Sequence, residues 1–271
     1  MVKKAIIPAA GYGTRNLPIT KVIPKEMMPV CGRPALDYII EEAVNSGIEQ
    51  ILIIVSRSKN MILDYYDRSM ELEFFLEENG KSELLKKLEL PNVHIQFVRQ
   101  TYSKGLGDAI LLGKPFVGNE PFAVLLPDEI ILPDKKSKPA LMQLIDMYNL
   151  HNKNILGLKK VPVETLHKYG VVKPERIKGN QFKITDIVEK PEETPPSDLA
   201  VIGRYILEPA IFDYLEKLQP GAGGEIQLTD AIKGMVKHQP NYGIKIDGLR
   251  FDIAVEQEYI QLINYISSHT E

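Results

Sequence analysis

Cysteine is almost missing from this chain: Cys31 stands alone among 271 residues. No internal disulfide can form, and a reducing compartment is the natural setting. Cys31 has no activating partner visible in the sequence, so it reads as structural or incidental. Histidine is sparse too. His94 falls in a strand-like segment, while His151, His167, His238 and His269 are scattered, and no Cys/His spacing suits a zinc site. Long apolar runs are also lacking. None approaches the roughly 18 residues of a membrane span. Ala5-Ile6-Ile7, between Lys3-Lys4 and Pro8, is too short for the core of a signal peptide. A soluble, cytoplasmic protein is expected. Neither sign of charge dominates: 33 basic residues stand against 36 acidic ones, for a net charge of −3. This balance gives no reason to expect a nucleic-acid or membrane partner. No internal repeat and no low-complexity tract is visible.

What is present is ample core material. The 44% hydrophobic content suits one large domain. Pro34–Ser46 has helical spacing and stops at Gly47. Gln50–Val55 is a continuous aliphatic run, as expected for a strand buried on both faces. His94–Val98 and Phe122–Leu126 read the same way, with a helical Asp108–Gly113 between them. Such alternation argues for an open α/β sheet that binds its ligand at the carboxyl ends of its strands. Asp67–Leu88, rich in Glu, Lys and Leu, reads as a helical insertion. Further on, Val171–Pro174, Phe182–Glu189 and Ala200–Leu207 read as strands, with a turn at Pro195-Pro196-Ser197. Ile211–Leu218, Gln227–Lys237 and Tyr259–Ser267 read as helices. No linker divides the chain. One nucleotide-binding core with a mixed sheet continuing into a substrate-binding lobe is the simplest reading.

The densest chemistry lies between Ile6 and Pro29. A strand runs into Gly11-Tyr12-Gly13, and Arg15, Lys21, Lys25 and Glu26 follow. Small residues let backbone N–H groups approach an anion, and cations just beyond can neutralise a polyphosphate. The loop is neither a Walker A loop nor a Rossmann GxGxxG fingerprint, and by itself it suits an ordinary strand–turn–helix corner better. The cations tilt it towards a nucleotide. Asp128-Glu129 ends an aliphatic strand, where it could hold Mg²⁺ beside phosphate oxygens or merely cap a turn. Glu189-Lys190 could meet a sugar hydroxyl and a phosphate, or form a surface ion pair. Asp252 is either a second metal carboxylate from a distant segment or a plain loop aspartate. Gly221–Asp230 is either a glycine-shaped site at a helix start or a flexible turn.

Over nearly its whole length the chain resembles bacterial UTP–glucose-1-phosphate uridylyltransferases, within the sugar-1-phosphate nucleotidyltransferases. The shared motifs are AAGYGTR, PKEMMPV, PDE and VEKP. Closer to the uridylyltransferase branch are PITKVIPKEM, DYYDRSMELEFFLEENGKSELL, RQTYSKGLGDAI and GRYILEPAIFDYLEKLQPGAGGEIQLTDAI. The resemblance implies a Rossmann-like three-layer αβα fold with a mixed, mainly parallel central sheet. It implies one domain over 1–271, with a nucleotide-binding core at about 1–135 and a sugar-phosphate-binding part, including the C-terminal helix, at 136–271.

It also implies roles. Ala9, Ala10, Gly11 and Gly13 would cradle the nucleotide, with Arg15 and Lys25 on its phosphates and Glu26 near the base or ribose. Gln100 and Gly105 would recognise uracil. Asp128 and Asp252 would hold Mg²⁺. Gly170, Glu189 and Gly203 would line the glucose pocket, and Lys190 would bind the sugar phosphate. The substrates would be UTP and glucose 1-phosphate, and the protein a homodimer or homotetramer. Another NTP (dTTP or CTP), another hexose 1-phosphate, or a weakly active nucleotide-sugar-binding regulator are the alternatives. The chain departs from the family pattern in three places. Tyr12 stands where leucine is common, and Glu129 where a second aspartate is common. Ala254 and Glu256 replace the usual glycine and lysine after Asp252. Loss of that glycine is expected to narrow backbone freedom beside the carboxylate.

Overall fold

Continuous aliphatic runs such as 50–55 and 122–125 give a strand two apolar faces, because successive side chains point to opposite sides, and each face needs its own cover. The computed structural model describes residues 1–134, 136–221 and 224–269. Its first half contains β1 (Lys4–Pro8), β2 (Pro29–Val30), β3 (Arg33–Pro34), α1 (Ala35–Asn45), β4 (Gln50–Val55), α2 (Asn60–Tyr65) and α3 (Met70–Glu78). There follow β5 (His94–Arg99), α4 (Leu106–Leu111), α5 (Lys114–Val117), β6 (Phe122–Leu125) and β7 (Glu129–Leu132). The second half contains α6 (Ala140–His151), β8 (Ile155–Lys160), β9 (Gly170–Lys178), β10 (Gln181–Glu189) and β11 (Leu199–Leu207). It closes with α7 (Ile211–Leu215), α8 (Leu228–Val236), β12 (Asn241–Lys245), β13 (Leu249–Asp252) and α9 (Glu256–His269).

A nine-stranded mixed sheet runs β5-β4-β1-β6-β11-β8-β12-β10-β9. The pairs β5–β4, β4–β1, β1–β6 and β8–β12 are parallel, while β10 and β11 run against their neighbours. Two further pairs stand apart: β2 with β3, and β13 with β7. Ala5, Ile7, Ile51, Ile53 and Val55 face a core completed by α1, α2, α6 and α9. Ile6, Leu52, Ile54, Phe122 and Val124 face a second core completed by α4, α5, α7 and α8. The alternation along each strand thus sends side chains to opposite cores. Each fully enclosed Ile or Leu contributes about 1.5–3 kcal/mol of burial, so the sheet is clamped from both sides.

The helical insertion expected over Asp67–Leu88 is α3 followed by 3₁₀ turns over Ser82–Leu88. The helix expected over Ile211–Leu218 stops at Leu215. No helix among the described residues is long and apolar enough to cross a membrane.

Candidate active site

Because β1, β4, β5 and β6 are parallel, their carboxyl ends share one edge of the sheet. The loops leaving that edge carry Gly11–Arg15, Lys59, Gln100 and Asp128. Ligands enter open α/β sheets at such an edge. In the first loop the Ala9 amide is already committed to Ile54 O at 2.7 Å, continuing the sheet. The amides of Ala10, Gly11 and Gly13 have no hydrogen-bond acceptor among the described residues, so the anion-ready stretch starts one residue later than expected.

Four of the expected residues meet at one point. Lys25 Nζ donates to Asp128 Oδ2 at 2.6 Å. Arg15 Nη2 donates to the same oxygen at 3.3 Å, and Arg15 Nη1 donates to Asp252 Oδ2 at 3.1 Å. Asp252 arrives from far along the chain because β13 pairs with β7, setting Asp252 opposite Glu129, and Ile253 N donates to Asp128 O at 3.0 Å. Burial opposes the charge on Asp128, but Lys25 and then Arg15 outweigh it and hold the carboxyl below its ordinary range. Burial likewise opposes the charge on Lys25, and Asp128 outweighs it, so the ammonium stays protonated. Arg15 is half exposed, with 54% of its side chain open, and can leave its two carboxylates at small cost.

Two carboxylates sharing one cation form a hard oxygen donor set. Mg²⁺ takes one or two carboxylates from protein and completes its shell with phosphate oxygens and water, so Asp128 and Asp252 fit such an ion. Among the described residues no cluster of three or more Asp, Glu, His or Cys side chains could hold a metal unaided. A metal here would complete its shell with water or with substrate oxygens.

Around Asp252 lies a second shell of charge. Arg250 Nε and Nη2 each donate to Glu129 at 2.6 Å, Nη1 donates to Glu258 at 3.4 Å, and Nη2 donates to Tyr169 Oη at 2.9 Å. Burial pushes Glu129 up to about 7, with Arg250 pulling the other way. Arg250 itself is held firmly charged: burial opposes it and the Glu129 carboxylate outweighs burial. Asp252 N donates to Glu258 at 2.7 Å, and Ala254 N donates to Asp252 Oδ1 at 2.9 Å. Ala254 is not among the residues with positive φ, so the backbone here does not require the glycine usual at that position. Glu256 lies in the first turn of α9, where a carboxylate suits the helix dipole.

The residues expected on the sugar side form a neighbouring group. Gly170 and Glu189 are register partners in the β9–β10 hairpin. Thr229 Oγ1, from α8, donates to Glu189 Oε2 at 2.7 Å. Lys190 lies 3.8 Å from Glu189 Oε1, its side chain 53% exposed and its backbone left-handed at φ 45°. Its amide donates to Tyr169 O at 2.9 Å, so Tyr169 links the lysine backbone to Arg250. Gly203 has φ 67°, and a Cβ there would meet Leu126 Cβ at 2.8 Å. Only glycine lets β11 pass this close to the strand end that carries Asp128.

Gln100 Nε2 donates to Asp108 at 2.7 Å, beside Gly105. Gly105 has φ 100°, and a Cβ would meet Ile226 O at 2.6 Å. The 104–107 loop is stitched to the segment before α8 by Ile226 N to Lys104 O at 2.7 Å and Gly107 N to Ile226 O at 2.8 Å. That segment belongs to the glycine-rich stretch 221–230, of which residues 222 and 223 lie outside the described residues. Glu26 is placed unlike the others. Its side chain is fully enclosed and paired at 2.7 Å with Lys59, itself 5% exposed, and its Oε1 has no hydrogen-bond partner among the described residues. It does not open onto the phosphate cluster as it stands.

Arg250, Tyr169, Glu258 and Lys59 were not among the residues expected from sequence. One signal was available: Arg250 sits two residues before Asp252, so the two share a face of β13.

With this geometry in place, the chain belongs to the nucleotidyl transferase family, whose model matches residues 4–264. Nucleotidyl transferases generally use a divalent metal. More particularly, its relatives are UTP–glucose-1-phosphate uridylyltransferases, as the motifs suggested. A Bacillus subtilis protein provisionally given that name is 51% identical over 97% of this chain and 96% of its own. The UTP–glucose-1-phosphate uridylyltransferase of Staphylococcus epidermidis is 47% identical over 96% of this chain and 90% of its own. A crystal structure of a UDP-glucose pyrophosphorylase complexed with UDP-glucose superposes with a TM-score of 0.89 at 39% identity, covering 100% of both chains.

Proposed function

We infer that this protein transfers UMP from UTP to glucose 1-phosphate, giving UDP-glucose and pyrophosphate. The observation that carries the reading is the meeting of Arg15, Lys25, Asp128 and Asp252 at the carboxyl edge of the sheet, with the exposed Lys190 linked to Asp252 through Tyr169 and Arg250. The likeness to a protein solved with UDP-glucose supports the choice of substrates.

An oxygen of the sugar phosphate attacks the α-phosphorus in line. The new P–O bond forms as the bond to the β-phosphate oxygen breaks, and pyrophosphate leaves. The attacking phosphate is already an anion, so no general base is needed, and catalysis rests on positioning and charge neutralisation. Ala10, Gly11 and Gly13 offer amides to the nucleotide, and Arg15 and Lys25 hold its phosphates. Gln100 and Gly105 read the uracil, and Glu26 belongs to the same end of the site, near the base or ribose. Gly170, Glu189 and Gly203 shape the glucose pocket, and Lys190 holds the incoming phosphate. Asp128 and Asp252 would hold Mg²⁺, which supplies charge neutralisation between the two anions when bound.

In this reading the fold is the Rossmann-like three-layer αβα arrangement. The nucleotide is held by about 1–135, and the sugar phosphate by 136–271. The enzyme works in the cytoplasm as a homo-oligomer. Pyrophosphate release, measured with a panel of NTPs and sugar 1-phosphates with and without Mg²⁺, tests the assignment. UTP with glucose 1-phosphate is expected to be the best pair and to need the metal; no release with any pair refutes it.

A further inference from the structure

We propose that Arg204, which touches no substrate, is the positioning residue that sets Asp128 in place; the inference rests on the reading of Asp128 as a metal carboxylate. Arg204 lies on β11 and is wholly enclosed. A guanidinium has five N–H donors in a rigid fork, and here the contacts engage all three nitrogens. Nε and Nη2 grip Glu42 of α1 at 2.9 and 2.8 Å. Nη2 also donates to Glu129 O at 2.7 Å, and Nη1 donates to Leu126 O at 3.3 Å and Gly203 O at 3.2 Å. Leu126 and Glu129 bracket Pro127-Asp128, so Arg204 holds both ends of the turn that presents the carboxylate. The other end of the device is anchored as well: Glu42 Oε1 accepts the Leu141 amide at 2.9 Å, at the start of α6.

A buried ion pair is weak evidence for a stabilising role, because apolar replacements of similar volume are often neutral or better. What an apolar pair cannot do is fork to three carbonyls across β11 and the 126–129 turn. Outer partners of a metal ligand typically matter by roughly 10–100-fold in metal affinity or activity.

The test uses Arg204→Lys and the double variant Arg204→Met/Glu42→Leu. Lysine keeps the charge opposite Glu42 but cannot fork to both Leu126 O and Glu129 O. The double variant removes both charges together and leaves no orphan ion if the single variant fails to fold. Mn²⁺ binding is followed by the EPR signal of the free ion, alongside kcat, the KM for glucose 1-phosphate and the melting temperature. In either variant, Mn²⁺ affinity and kcat are expected to fall roughly 10-fold or more, with the KM for glucose 1-phosphate within about twofold of the wild type. A variant that folds, melts lower, and keeps Mn²⁺ affinity and kcat within twofold overturns the proposal and leaves Arg204 a structural residue. Asp128→Asn is measured in parallel. Loss of Mn²⁺ binding there supports the assignment beneath the proposal, and unchanged binding overturns that assignment and the proposal with it.

Discussion

Arg15→Gln removes the cation that lies between Asp128 and Asp252, and it should move two affinities in opposite directions. Before a divalent ion can take both carboxylates, Arg15 must give up its contacts of 3.1 and 3.3 Å. The side chain is 54% exposed, so solvent screens each contact, and each is worth about 0.2–1 kcal/mol. Together they oppose metal entry by about 0.4–2 kcal/mol, or roughly 2–30-fold. The variant should therefore bind Mn²⁺ without nucleotide roughly 2–30-fold more tightly than the wild type. UTP without metal should bind more weakly, by roughly 10–150-fold, because charge-assisted hydrogen bonds to phosphate are lost. Free-ion EPR reads the first and titration calorimetry the second. Equal or weaker Mn²⁺ binding in the variant would refute the view that Arg15 holds the metal's place.

Lys190→Ala should lose glucose 1-phosphate affinity and turnover while UTP binding stays, and unchanged turnover rejects the role of this lysine. Gly105→Ala forces a Cβ to within 2.6 Å of Ile226 O on a backbone at φ 100°, a region costing about 1–3 kcal/mol for any other residue. A raised KM for UTP and a lower melting temperature are expected, and wild-type values for both count against the loop geometry. Lys59→Met removes the ion-pair partner of the enclosed Glu26, which should cost about 3–5 kcal/mol and lower the melting temperature by roughly 6–20 °C. Adding Glu26→Gln should recover much of it. A melting temperature within 2 °C of wild type, roughly the smallest shift that 1 kcal/mol gives in a chain of this size, excludes the buried pair.

The strands that local pattern announces are the ones flanked by turns and filled with aliphatics. Gln50–Val55 is β4 to the residue. β8 and β12 are different: each carries a glycine near its middle, Gly157 and Gly243, and little alternation. They are strands because they pair with each other, with Gly243 packed against Leu158. The reversal of β10 and β11 is likewise a matter of tertiary pairing.

The same division runs through the site. Short motifs carry Arg15 and Lys25, Asp128, Glu189-Lys190 and Asp252, because chemistry of this kind needs particular residue types at short spacing, and spacing is local. What each charge meets is not local. Asp252 comes to Arg15 across 237 positions through the β13–β7 register, and Arg204 meets Glu42 across 162. The sequence alone determined which side chains could carry charge to a phosphate and which runs would form the central strands. Only the tertiary structure decided that Arg15 spans the two carboxylates, that Glu26 is enclosed with Lys59, and that Arg204 grips the turn beneath Asp128. The physical reason is that ion-pair strength depends on separation and on exclusion of water, and both are set by packing between segments far apart in the chain.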